Sequence, residues 1–350
     1  MRYRVLGNSG LFVSEMCLGT MTFGPSTGRY AGAGDVGQEE VDRIVRRAFD
    51  AGVNFFDTAN VYSGGQSEEI LGRSLKNLGI ARREVVIATK VEHAVGPGPN
   101  DSGASRYHII DQLKTSLARL GTDHVDLYQL HGWDLATPLE ETIRALDDVV
   151  RQGLVRYVGV SNWAAWQITK ALGVAARFSA TPFQSVQAYY SLVGRELERE
   201  IVPMLESERL GLLVYSPLAG GYLSGKYRGG GTGRRGIIAF PPVDEAKGTP
   251  VLAALERIAA RHGAPLSTIA LAWLLHRPAV TSVILGIKRF EQLEENLKAV
   301  DVRLADADLR ELNDASALSV EYPGWMFAMA DAARANLLRT GVLPDAGART

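Results

Sequence analysis

A (β/α)8 barrel, the TIM-barrel class, is the fold this sequence predicts, and three observations point to it. Short apolar runs alternate eight times with amphipathic helical stretches along the 350 residues. The runs are continuously apolar, as in parallel strands buried on both faces. Several of them end in a polar residue just ahead of a loop, the way such barrels present side chains on one rim. A doubly wound open sheet competes, but it would want a G-x-G-x-x-G after an early strand, and none stands there.

The elements follow in order. Arg2–Leu6 and Leu11–Ser14 flank Gly7-Asn8-Ser9-Gly10, which predicts an opening β-hairpin. Strands are expected near 16–20, 53–58, 85–90, 125–130, 155–160, 183–187, 211–215 and 282–286. Helices are expected at 38–51, 67–78, 105–120, 138–152, 164–176, 196–209, 251–262 with 266–277, and 289–299. In the first helix Val41, Ile44, Val45 and Ala48 share one face. Ser105 reads as an N-cap and Gly121 as a stop. Thr137-Pro138 reads as an N-cap with proline at the first helical position. Gly52 and Gly153 read as stops before the next strand.

Three segments stand outside the alternation. They are the glycine-rich loop Phe23–Gly37, the long basic stretch Lys226–Gly248 after the seventh strand, and the tail from Asp301. The tail carries helical patterns at 305–314 and 326–340. On a barrel these segments are expected to cover the active-site face. A single domain spanning 1–350 is expected.

Bulk composition narrows the function classes. Hydrophobic residues at 46% and charged residues at 22% are those of a globular protein. A net charge of -1 speaks against nucleic acid or an anionic membrane as partner. The single cysteine, Cys17, excludes an internal disulfide and fits a reducing compartment. It sits in an apolar stretch and is expected to be buried and inert. There is no secretory h-region at the start and no run of about 18 apolar residues, so a cytoplasmic protein is expected.

Asp57, Tyr62, Lys90 and His131 lie at or just beyond the ends of three successive strands. A tyrosine hydroxyl, with a reference pKa of about 10, is a reluctant proton donor. A nearby ammonium lowers that value, which Lys90 can do, while Asp57 holds the lysine charged. His131 can orient a carbonyl oxygen. Such a group suits protonation of an oxygen that becomes alkoxide-like as hydride reaches carbon.

These residues resemble the aldo-keto reductase superfamily. The likeness rests on Asp57-Thr-Ala-Asn-Val-Tyr62, the lysine ending Val-Val-Ile-Ala-Thr-Lys90, and Tyr-Gln-Leu-His131. Ser67-Glu-Glu-Ile-Leu-Gly72, Val158-Gly-Val-Ser-Asn162, Gln187, Tyr215-Ser-Pro-Leu218, Gly225-Lys226-Tyr227 and Gly286-x-Lys-x-x-x-Gln292-Leu-x-Glu295-Asn296 extend it over residues 2–315. The chain is most similar to the bacterial and potassium-channel-β-like branches. The resemblance implies a nicotinamide-dependent carbonyl reductase with Asp57, Tyr62, Lys90 and His131 as tetrad and Tyr62 as general acid.

By the same resemblance Ser161, Asn162 and Gln187 hold the carboxamide, Tyr215 stacks on the nicotinamide, and Thr20 and Met21 border it, beside Asp57. Ser216, Pro217, Leu218, Gly220 and Lys226 wrap the pyrophosphate, with Arg234 or Arg235 closing onto it. Gly286, Lys288, Gln292, Glu295 and Asn296 grip the adenosine end. Lys288 and Arg289 at a helix start favour NADPH (NADP+ in the oxidised form) over NADH. Two residues depart from the family pattern: Ser63 stands where glycine is usual, and Leu285 where proline is common.

Tyr62, His131, Trp133 and Trp163 are the candidate substrate contacts, though both tryptophans equally suit packing. Aromatic walls suit an aryl or alkyl aldehyde or ketone. Asp134 and His93 instead suit a hydroxylated carbonyl. A small-molecule carbonyl is the expected partner, no metal is expected, and the resemblance allows anything from a monomer to a homo-oligomer. Two other readings stand beside the reductase: a redox-sensing regulatory subunit, and an unrelated barrel enzyme acting on a phosphorylated metabolite.

Overall fold

The computed structural model describes residues 1–26, 32, 34–227, 235, 239–327, 334 and 337. They divide into two compact units, Met1–Ser316 and Ala317–Thr350.

The first unit is the expected barrel. A hairpin opens it, β1 (Tyr3–Val5) pairing antiparallel with β2 (Phe12–Ser14). Eight strands follow: β3 (Met16–Gly19), β4 (Phe55–Asp57), β5 (Val86–Val91), β6 (Val125–Leu130), β7 (Val155–Ser161), β8 (Phe183–Tyr189), β9 (Gly211–Tyr215) and β10 (Val280–Gly286). Each pairs in parallel with the next, and β10 pairs with β3 to close the ring. No sheet edge remains exposed in such a closure.

The helices among the described residues are α1 (Gln38–Asp50), α2 (Gln66–Asn77), α3 (Arg106–Leu120), α4 (Leu139–Arg151), α5 (Ala165–Phe178), α6 (Ile201–Glu208), α7 (Glu245–His262), α8 (Leu266–Leu275), α9 (Phe290–Leu297) and α10 (Asp306–Ala315). The predicted face of α1, Val41, Ile44, Val45 and Ala48, is buried. Ser105 caps α3 by accepting from the His108 amide, and Gly121 ends it in the left-handed region at φ 64°.

Three boundaries differ from expectation. Thr137 does not cap α4; its hydroxyl donates to Asp134 at 2.6 Å, and Pro138 stands at the N-cap instead. The stretch 196–209 divides into a 3₁₀ turn at Glu196–Glu198 and α6, with Pro203 in the first turn of α6, where a missing amide costs nothing. Helix α7 begins at Glu245 rather than 251, because Asp244 accepts from the Ala246 amide at 3.0 Å and so caps a turn that Gly248 and Pro250 disguise.

The core has two parts. The larger lies between strands and helices. The smaller fills the lumen with Cys17, Phe55, Val86, Ala88, Leu127, Leu213 and Ile284, joined by Leu6 and Val13 from the opening hairpin. Cys17 is fully buried, and burial, reinforced by the Asp57 charge, pushes its thiol well above the ordinary range.

In the second unit, residues 324–327 form a helical turn, and Tyr322 meets Trp325 edge-on at 6.1 Å. Most of the helix expected at 326–340 lies outside the described residues. No helix among the described residues is long and apolar enough to cross a membrane.

Candidate active site

Parallel strands bring their C-terminal ends to one rim, and the four expected residues meet there. Asp57 closes β4, Lys90 lies next to last in β5, and His131 follows β6 directly. The backbone ties these ends together: the Thr58 amide donates to Ala88 and the His131 amide to Val91, both at 2.8 Å.

Lys90 is completely buried, and its Nζ donates to Asp57 Oδ1 at 2.5 Å, to the Thr58 carbonyl at 2.8 Å and to Tyr62 Oη at 3.3 Å. An ammonium has three protons, so these three acceptors satisfy it. Asp57 Oδ2 in turn accepts from Gln129 Nε2 at 3.1 Å and Gln187 Nε2 at 2.9 Å. A buried charge pair is tolerated only when its remaining polar atoms are bonded in this way. Gln129 is the residue that sequence reasoning missed. Its signal was a polar side chain inside the apolar run Val125–Leu130.

Tyr62 sits on the tight turn Tyr62–Gly65, where Ser63, Gly64 and Gly65 all have positive φ (50°, 63° and 95°). Ser63 is the residue that replaces the family glycine, and it adopts the left-handed backbone that glycine reaches without strain. Its hydroxyl donates to the Phe23 carbonyl at 2.8 Å, which offsets part of that cost. Arg119 holds the approach to the turn by donating to the Asn60 carbonyl at 3.1 Å and to Glu68 at 3.3 Å. Burial pushes the Glu68 carboxyl up; bonds from Thr89, Ser116 and Arg119 oppose that rise.

His131 meets Tyr62 edge-on, ring centres 5.8 Å apart, and stacks on His93 at 4.2 Å. Its carbonyl accepts from Asn162 Nδ2 at 3.0 Å, and Asn162 Oδ1 accepts from Tyr215 Oη at 3.0 Å. The Tyr215 phenol is pushed up to about 12 by burial and by Tyr189. Its ring lies nearly parallel to that of Phe240 at 6.4 Å.

The other predicted positions fall on the same rim. Ser161 ends β7, Gln187 lies near the end of β8, and buried Thr20 bonds the Ser67 hydroxyl at 2.8 Å, with Met21 beside it. Ser216, Pro217 and Leu218 follow β9; Ser216 has φ 49° and Gly220 φ 66°. A Cβ on Gly220 would stand 2.9 Å from the Phe240 carbonyl, so only glycine fits. Lys226 holds its Nζ 5.0 Å from the centre of the Tyr227 ring. Arg234 lies outside the described residues; Arg235 donates to the Pro241 carbonyl at 2.8 Å.

Gly286 ends β10 with open space where a Cβ would stand. Gln292 Oε1 accepts from the Lys288 and Arg289 amides at 3.0 and 3.2 Å, capping α9. Lys288 Nζ donates to the Gly32 carbonyl at 2.7 Å, Glu295 accepts from Ser267, and Asn296 is buried. Three of these side chains thus hold the local backbone and helix contacts.

Trp163 is buried at 3% exposure and packs edge-on against Trp133 (4.6 Å) and Phe183 (5.8 Å). Trp133 is half-buried and continues the ladder toward Trp166. Asp134 holds the local loop. Its oxygens accept from the Ala104 and Ala136 amides and the Thr137 hydroxyl. Burial alone would raise its carboxyl, but these bonds hold it below the usual range. No group of three metal-ligating side chains occurs among the described residues.

A family model described as "Aldo/keto reductase family" matches residues 15–317. The chain belongs to the aldo/keto reductase family. As a member it is an oxidoreductase, on the closed eight-stranded barrel just described. Its curated relatives carry two kinds of name. A "probable voltage-gated potassium channel subunit beta" of Arabidopsis thaliana is 40% identical over 311 residues, covering 86% of this chain and 92% of that one. An "uncharacterized oxidoreductase YrpG" of Bacillus subtilis (strain 168) is 38% identical over 322 residues, covering 90% and 95%. A "putative voltage-gated potassium channel subunit beta" of Schizosaccharomyces pombe is 37% identical over 310 residues, covering 85% and 88%.

Proposed function

We propose that this chain catalyses NADPH-dependent reduction of an aldehyde or ketone to an alcohol, with Tyr62 as the general acid. The observation that carries the reading is the Tyr62 hydroxyl 3.3 Å from an ammonium that is itself bound to a buried carboxylate. An accepted hydrogen bond from Lys90 stabilises the phenolate, so Tyr62 can release its proton to a substrate oxygen. Asp57 keeps Lys90 charged after that proton has left. His131, beside Tyr62, donates to the same oxygen and fixes the carbonyl against the acid. Burial of all four groups strengthens each of these interactions by lowering the local dielectric.

The rim suits a dinucleotide. Tyr215 offers a half-exposed ring steadied by Asn162, and Gly286 leaves room for close approach at the start of α9. Ser161, Asn162 and Gln187 would hold the carboxamide, Ser216, Leu218, Gly220 and Lys226 the pyrophosphate, and Lys288 with Arg289 the 2′-phosphate that distinguishes NADPH. When bound, the reduced nicotinamide supplies the hydride.

The names of the relatives support a second reading, a nicotinamide-binding regulatory subunit with little turnover. One experiment separates them: NADPH oxidation by the purified protein with an activated aromatic aldehyde, beside Tyr62→Phe. Reduction that falls by about 10³-fold in the variant, with cofactor binding kept, is expected. Tight NADPH binding without turnover across aldehydes and ketones moves the weight to the subunit, and no NADPH binding overturns both readings.

A further inference from the structure

We infer that His93, backed by Glu92, is a specificity residue that selects carbonyls bearing a hydroxyl on the carbon next to the carbonyl. The inference rests on the reductase reading above, since it assigns what lies beside the reacting oxygen. The imidazoles of His93 and His131 are stacked, with centres 4.2 Å apart and planes 23° from parallel. A substrate whose carbonyl oxygen reaches His131 therefore brings its neighbouring atoms to His93. Glu92 Oε2 lies 2.7 Å from His93 Nδ1, on the other side of the ring from Nε2. The approach is a charge contact and not a hydrogen bond; it sets the carboxylate at Nδ1 and leaves Nε2 as the other polar atom of the ring. An imidazole nitrogen exchanges a hydrogen bond with a hydroxyl whether it donates or accepts, so it rewards a hydroxyl over an alkyl group.

The surrounding loop holds this arrangement without help from the imidazole. Glu92 has φ 121°, a backbone that side-chain-bearing residues rarely adopt and that proteins retain where function calls for it. The Glu92 carbonyl accepts from the Gly103 amide at 2.7 Å, and the Ala104 amide donates to Asp134 at 2.7 Å. Farther out, the Gly98 amide donates to Asp101 at 2.7 Å and the Val95 amide to the Asp101 carbonyl at 2.9 Å. With the loop pinned at these points, a ring needed only for packing would serve as well as phenylalanine, in a region already rich in Trp133, Trp163 and Trp166. The His93 side chain instead remains 22% exposed beside His131.

The test compares hydroxyacetone with butanone, in which a methyl replaces the hydroxyl, in wild type, His93→Phe and His93→Gln. Phenylalanine keeps the stack and removes the ring nitrogens; glutamine restores a polar group. Wild type is expected to favour hydroxyacetone in kcat/KM. In His93→Phe that preference should fall tenfold or more, chiefly through KM, and recover in part in His93→Gln. A preference unchanged in His93→Phe overturns the inference, as does a wild type that does not favour hydroxyacetone while still reducing an aromatic aldehyde. Reduction of no carbonyl at all overturns the reductase reading, and the inference with it.

Discussion

Val86 and Ala88 face the lumen as part of an apolar plug, and two residues farther along the same strand stands Lys90. The same step takes Phe55 to Asp57 in β4 and Leu127 to Gln129 in β6. Side chains two apart on a strand share a face, so one wall of the barrel changes from hydrocarbon to ions within a single repeat. The lower lumen is closed by the hairpin residues Leu6 and Val13; the upper lumen is closed by hydrogen bonds that use every proton of Lys90 and both oxygens of Asp57. The difference teaches where stability and chemistry come from. Burying apolar side chains stabilises the ring, whereas a buried ion pair adds little net stability and is sensitive to the loss of either partner.

That comparison can be broken most directly at Lys90. Lys90→Met leaves Asp57 buried without its counter-ion, and a loss of about 3–5 kcal/mol is expected together with loss of reductase activity. Urea denaturation beside an NADPH oxidation assay checks both. An active Lys90→Met enzyme would mean that the upper lumen is not the reaction centre.

Phe55→Ala, in the lower lumen, should cost a similar 3–5 kcal/mol through lost transfer energy and a cavity. Yet kcat measured well below the melting temperature should stay close to wild type, because Phe55 belongs to the apolar plug and brings no polar atom to the reaction. A kcat that falls with stability would show the two halves to be coupled.

Gln129→Leu sharpens the boundary between them. It removes one of the two donors to Asp57 Oδ2 and keeps Gln187, so a loss of about tenfold in kcat/KM is expected. Unchanged kinetics would leave Gln129 as packing alone.

The smallest effect is expected outside the lumen, at Asp308, which accepts from Arg261 and His262, both at 2.7 Å, and so ties α7 to α10. Burial would raise its carboxyl, but these bonds outweigh that and hold it below the ordinary 3.8. A carboxylate with a lowered folded-state pKa contributes stability above its unfolded value and loses it as pH falls through the folded one. Asp308→Asn should therefore lower the melting temperature at pH 7 and converge on wild type below pH 3.8. A gap that persists in acid would point to packing rather than charge.

Much of this was legible in the sequence. Continuous apolar runs and amphipathic stretches have fixed periods, so strand and helix order follow from local pattern, and Asp57, Tyr62, Lys90 and His131 stand out as polar residues at strand ends. Local signals failed where a side chain had two partners to choose from. Thr137 looks like an N-cap, but Asp134 takes its hydroxyl and ties it to the loop ahead of the helix. At Gln292 the resemblance speaks of a cofactor contact, and only the structure adds that its side-chain oxygen caps α9.

Sequence alone determined the barrel, the rim and the residue types on it, because each depends on spacing along one strand or helix. Only the tertiary structure decided that Gln129 and Gln187 share one oxygen of Asp57 and that His93 lies against His131. Those contacts join residues from different strands and loops, and no local period encodes which of them meet. Ser63 shows the same division on a single residue. Its departure from glycine is plain in the sequence, but the positive φ that gives it meaning comes from the turn that carries Tyr62.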